Sequence, residues 1–152
     1  QAQYGTPPDM QYLGLDVYPW HQSAWDDPPF GIATALAQID GAQQWANGRW
    51  PVVVTEWGML RRPFTCGLNP NQTDDERRTY TRGVLNGFAA RAVPLALYYA
   101  SHEQQCDSNG WMSWLINRDG SLTVEGQAHV GITPWPTAPA GPRAQGTAVR
   151  SR

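Results

Sequence analysis

Apolar and polar positions recur along this chain in two different periods. Leu13, Leu15 and Val17 share one side of a period-two run, with Tyr12, Gly14, Asp16 and Tyr18 on the other. That alternation predicts a strand from Gln11 to Tyr18, and Pro19 ends it. Trp20, His21 and Trp25 follow in a loop closed by Asp26-Asp27-Pro28-Pro29. Over residues 31–47 the period lengthens. Ile32, Leu36, Ile39 and Ala42 recur at three- and four-residue steps, which is one face of a helix, and Trp45 extends the stripe. Asn47-Gly48 supplies the stop.

The stretch Pro51-Val52-Val53-Val54-Thr55-Glu56 carries no alternation. A run of β-branched residues predicts a short strand covered on both faces. A loop over 57–72 holds Arg61, Arg62 and Cys66. Thr73-Asp74-Asp75-Glu76 is a capping-box pattern and opens a helix to about residue 91, with Tyr80, Val84 and Phe88 on one face. Helix-start chemistry accounts for those three acids. It also explains Thr73 better than the glycosylation acceptor that Asn71-Gln72-Thr73 spells. Residues 93–100 predict a third strand, with Pro94 tolerated near its start. A polar loop with His102, Glu103 and Cys106 follows. Then come Trp111 and Trp114, a turn at Arg118-Asp119-Gly120 and a weak helix near 122–130.

Strand, helix, strand, helix, strand, helix is the order of α/β folds built from βαβ units on a parallel sheet. Three parallel strands leave two edges and one apolar face uncovered. The expectation is a sheet that continues in missing sequence or that needs a partner. Residues 1–133 form the folded part, and 134–152, rich in Pro, Ala and Gly, form a disordered tail or linker.

Composition narrows the function classes. The length of 152 residues is one domain's worth at most. A net charge of −2 gives no electrostatic reason to expect nucleic acid or an anionic membrane. No apolar run approaches the ~20 residues of a membrane span. The start lacks an initiator Met and does not resemble a signal peptide, so a processed product or a fragment is expected. Eight Trp with six Tyr is rich in flat apolar faces. All basic residues are Arg, which reads as coding bias. Cys66 and Cys106 are too few for a disulfide scaffold or a four-ligand zinc site, and either form one bridge or stay as two thiols.

Chemistry concentrates at the strand ends: Tyr18, Trp20 and His21 after the first, Glu56 and Trp57 at the second, Ser101, His102 and Glu103 after the third. Helix starts and strand beginnings carry none. This polarity is what a (β/α)₈ barrel predicts, with its site at the carboxyl face. Cys66 and Cys106 lie in loops on that face.

The phrases YLGLDVYPW, PVVVTEWG and GWMSWLINRDGSLTVEGQAHV resemble strands six to eight of a clan A glycoside hydrolase. The resemblance covers roughly residues 10–132 and leaves cellulase-like, mannanase-like and galactanase-like members open. It implies part of a (β/α)₈ barrel and retaining hydrolysis of β-glycosidic bonds, with no cofactor and no metal. An extracellular setting is expected. By the same resemblance Glu56 matches the nucleophile and Tyr18 the aromatic that orients it. Trp20, His21 and Trp57 would bind substrate on the same rim, with His102 in the third loop. Trp111 or Trp114 would supply an aromatic platform.

A retaining enzyme needs a second carboxylate about 5–5.5 Å from the first. In clan A it ends strand four, usually after Asn. The chain has no Asn-Glu pair. Asp16 reads as a hydrogen-bonding residue of the barrel interior, and His102 with Glu103 as a loop ion pair, so no acid/base is assigned. The chain is therefore expected to be inactive alone and to need an N-terminal barrel half. Trp45 and Trp50 read as core or helix-packing residues, and His129 as a surface helix residue. Two rival readings stand. One is a non-catalytic, lectin-like carbohydrate-binding protein using Trp20, Trp57 and Trp111. The other is a half-barrel that pairs with a copy of itself.

Overall fold

The computed structural model describes residues 11–18, 28–58, 73–99 and 114–130. The elements run β1 (Leu13–Val17), α1 (Pro28–Ala46), β2 (Val52–Trp57), α2 (Asp74–Ala90), β3 (Ala96–Tyr98) and α3 (Val124–Val130). β1 and β3 both pair with β2 in parallel, giving the order β1-β2-β3. The fold is α/β, with three parallel strands in one sheet alternating with helices, and β1 and β3 are its edges among the described residues. The tail over 134–152 lies outside those residues.

Local chemistry explains most boundaries. α1 begins at Pro28 rather than after the two prolines. A proline in the first turn has no N–H to leave unsatisfied, and its fixed φ suits the helix. Asn47 and Gly48 end α1 in the left-handed region, at φ 49° and 71°. The capping box opening α2 is present in full. The Thr73 side chain accepts from the Glu76 N–H at 3.2 Å, and the Glu76 carboxylate accepts from the Thr73 N–H at 2.7 Å. Hydrogen bonds to Thr73 hold the Glu76 carboxyl below its ordinary range. Thr73 thus serves as the cap. At 118–120 the expected turn forms, with Gly120 at φ 84°. It is closed by an antiparallel bridge between Ile116 and Leu122. Thr123 then starts α3 by accepting from the Gly126 N–H at 3.1 Å.

One face of the sheet is covered by helices. Val17, Val52 and Val54 pack there with Ile39 of α1 and with Tyr80, Val84 and Phe88 of α2. β2 has an irregular register. Leu15 pairs with Val54 but Asp16 with Glu56, and Val54 pairs with Ala96 but Trp57 with Tyr98. β2 therefore carries one extra residue at Thr55-Glu56, a β-bulge. Strict alternation would have put Glu56 on the helix side with Val52 and Val54. The bulge instead leaves Thr55 exposed and Glu56 half-exposed, and returns Trp57 to the core.

Charged groups hold the helices together. Arg77 of α2 meets Glu125 of α3 through two parallel bonds, Nε to Oε1 at 2.8 Å and an Nη to Oε2 at 2.5 Å. Both side chains are buried, at 3% and 0% exposure. Arg91 grips Asp40 of α1 in the same two-bond manner, at 2.6 and 2.8 Å, and holds that carboxyl below its ordinary range.

Candidate active site

The site is built where β1 and β2 end. Tyr18, just past β1, donates its hydroxyl to Glu56 Oε1 at 2.6 Å. A bond this short, from a phenol to a carboxylate, is of the charge-assisted kind. Three features aim it. The bulge turns Glu56 off the helix face. Gln38 of α1 donates from Nε2 to the Tyr18 carbonyl at 2.8 Å, fixing the chain where it leaves the sheet. Gly58 completes the site by lacking a side chain. A Cβ there would lie 2.8 Å from the Tyr99 carbonyl oxygen and 3.6 Å from Tyr18 Cε1. The glycine of the Thr-Glu-Trp-Gly run is thus what lets the Tyr18 ring and the Tyr99 backbone close in beside Glu56.

Electrostatics favour a fixed proton on Tyr18. The side chain is buried, with 6% exposed. Burial pushes its phenol far above the ordinary tyrosine value, and the bond to Glu56 and its negative charge push it further, with Tyr98 and Asp16 adding less. Tyr18 therefore remains a donor across the physiological range. Asp16 is exposed on the face away from the helices, and its Oδ1 accepts from Thr55 Oγ1 at 2.8 Å. That bond spans β1 and β2 at the bulge.

Trp57 does not sit on the rim. It is 1% exposed, edge-on to Phe88 at 5.4 Å and to Tyr98 at 4.9 Å. His129 stacks on it at 5.4 Å with 27° between planes. The extra residue in β2 is the cause, because it shifts Trp57 by one position in the alternation. The expected substrate-binding face is spent on core packing. His129 is accordingly no surface residue. Its Nδ1 lies 2.8 Å from the Glu125 carbonyl, which only accepts, so Nδ1 carries the proton. Burial lowers its basicity below the ordinary histidine value, with the Glu125 carbonyl and carboxylate opposing. Its buried Nε2 has no hydrogen-bond partner among the described residues.

Trp114 is half-buried and tied to the turn, its indole N–H donating to Asn117 Oδ1 at 3.0 Å. Trp20, His21, Cys66, His102, Glu103, Cys106 and Trp111 lie outside the described residues. Among those described, no group of three His, Cys, Asp or Glu is arranged to hold a metal ion. None of the described helices is long and apolar enough to cross a membrane.

Sequence reasoning missed Gln38, Arg77, Glu125 and the burial of His129. One signal was present. Arg77 falls three residues before Tyr80 on the apolar stripe of α2, where an unpaired charge would be costly. No family model, curated protein or solved structure matches the chain.

Proposed function

We propose that this chain carries the nucleophile of a retaining β-glycosidase, as the carboxyl-terminal part of a (β/α)₈ barrel. One observation carries the reading: the Tyr18 hydroxyl donating to Glu56 at the carboxyl end of parallel strands, at 2.6 Å. Glu56 attacks the anomeric carbon of a poly- or oligosaccharide, the leaving oxygen departs, and a glycosyl-enzyme ester forms that water then hydrolyses. Tyr18 restrains the carboxylate so that one oxygen stays on the attack line. The proton for the leaving oxygen comes from a second carboxylate, contributed by an N-terminal barrel half that pairs with the open sheet edges. No metal or organic cofactor enters this chemistry.

A binding-only role has less support. Burial of Trp57 removes one of the three aromatics that a lectin-like rim would use.

The test exploits the missing proton donor. Dinitrophenyl 2-deoxy-2-fluoro-β-glycosides need no general acid, because their leaving group departs as a stable anion. Incubation of the chain with the gluco, manno and galacto forms should add one sugar mass, mapped by peptide sequencing to Glu56 and absent in Glu56→Gln. Ordinary aryl β-glycosides should show little or no turnover. No adduct with any of the three sugars would refute the nucleophile assignment. Robust turnover abolished by Glu56→Gln would refute the requirement for a second half.

A further inference from the structure

The extra residue in β2 changes which side chains meet across the sheet. Leu13, Gly14 and Leu15 of β1 pair in step with Val52, Val53 and Val54. An unbroken ladder would go on to set Asp16 beside Thr55 and Val17 beside Glu56. The observed partners are Asp16 with Glu56 and Val17 with Trp57. The bulge therefore brings a second carboxylate level with Glu56 on the neighbouring strand, and adjacent strands run only about 4.8 Å apart.

Asp16 is also held in one orientation. Thr55 Oγ1 donates to its Oδ1 at 2.8 Å. The Thr55 methyl lies over Gly14, where an added Cβ would stand 3.0 Å from Thr55 Cγ2. The missing side chain at Gly14 makes room for the threonine, and the threonine fixes the carboxylate. Asp16 is exposed on the face away from the helices, the face that lines the interior of a closed barrel. Its negative charge is felt at the Tyr18 hydroxyl, which groups it with Tyr18 and Glu56. The ion pairs among the described residues use other carboxylates.

An exposed aspartate bonded to a threonine needs no function by itself. What distinguishes Asp16 is its place across the ladder from Glu56. Thr55 engages one carboxylate oxygen and leaves the second on the open face. An ionised carboxylate only accepts, so a ligand that meets it there supplies a donor.

We propose that Asp16 is a specificity-determining residue of the Glu56 site, its second oxygen accepting a hydrogen bond from the C3, C4 or C6 hydroxyl of the sugar that Glu56 attacks. The inference rests on the glycosidase reading and deepens it. Asp16 orients the ring, and a sugar lacking that hydroxyl is selected against.

Labelling kinetics test the contact. The probes are the dinitrophenyl 2-deoxy-2-fluoro-β-glycoside that labels the chain fastest and its 3-deoxy, 4-deoxy and 6-deoxy forms. At least one deoxy form should label the unaltered chain about tenfold to a hundredfold more slowly than its parent. In Asp16→Ala the parent should slow by a similar factor and that deoxy form should lose little more, so the two rates converge. Thr55→Val keeps the carboxylate but frees it to turn, and should narrow the gap without closing it. It also carries the test should circular dichroism show Asp16→Ala to be unfolded. A merely structural role would slow parent and deoxy forms alike, so an unchanged ratio in the folded variants would overturn the proposal. Equal labelling of the unaltered chain by the parent and all three deoxy forms would do the same. In both cases the adducts on Glu56 leave the nucleophile reading standing. No adduct with any parent sugar would bring down both readings together. Labelling that requires added calcium or magnesium and is abolished by EDTA would overturn the contact by assigning the carboxylates to a cation.

Discussion

At the residue scale the site depends on a proton that does not leave. Tyr18 is held protonated by burial and by the carboxylate beside it, so Tyr18→Phe removes a donor and little volume. A hydrogen bond to a charged group contributes about 1.5–3 kcal/mol. Labelling of Glu56 by the fluoro-sugar should slow by roughly tenfold to a hundredfold, since 1.4 kcal/mol is tenfold. An alkaline absorbance titration gives an independent check. Tyr18 should contribute nothing to the phenolate rise near pH ~10 of the folded chain, so Tyr18→Phe should diminish only the amplitude seen after unfolding. A normal titration of Tyr18 would mean that its hydroxyl faces water and not Glu56. Glu56 stood out in the sequence as a candidate because it is a carboxylate ending a valine run, and the structure pairs it with Tyr18. The burial of Trp57 was not legible, because a single inserted residue in β2 reverses which side it faces, and no composition rule marks where such an insertion falls.

At the scale of elements, the order of strands and helices was legible because each relied on local chemistry: period, capping box, left-handed turn. Links between helices were not, since Arg77 and Glu125 are 48 positions apart and nothing local pairs them. Their side chains are buried, and Arg77 also bonds Asp74 at 3.2 Å, so removing one partner leaves a buried charge with fewer partners. Arg77→Met or Glu125→Leu alone should cost about 3–5 kcal/mol, measured by urea unfolding, whereas the double change should recover most of it. Additive losses would mean the two groups act independently. α3 also delivers His129 to the back of Trp57. Its depressed basicity means the unfolded chain takes up protons first, so stability rises with pH through that range. The contribution is whole above about pH 6.5 and is lost as pH falls toward the folded value. The urea midpoint should therefore drop between about pH 7.5 and about pH 5.5. His129→Phe, which keeps an aromatic ring on Trp57 but cannot titrate, should drop less. Equal drops would show that His129 is not the group responsible.

At the scale of the whole molecule, the described helices cover one face of the sheet. Leu95 and Leu97 remain 47% and 50% exposed on the other, alongside Asp16 and Thr55. Among the described residues β1 and β3 are the two edges, and in a parallel sheet the outward backbone groups of the two edges differ. A second copy that pairs its β1 with the first copy's β3 presents a fresh β3 in turn. That contact is head-to-tail, and it either closes into a ring or propagates. Five further strands are needed to complete an eight-stranded barrel, so pairs of this chain do not satisfy each other in the way that a complementary N-terminal half would. Light scattering of the chain alone should accordingly give masses that broaden and rise with concentration. Leu97→Lys, placing a charge on the uncovered face, should return the chain to its monomer mass without altering Glu56 labelling. A sharp dimer insensitive to Leu97→Lys would favour the self-pairing half-barrel. A monomer at every concentration would mean that the uncovered face and edges are already satisfied, and the case for a missing partner would fall with it.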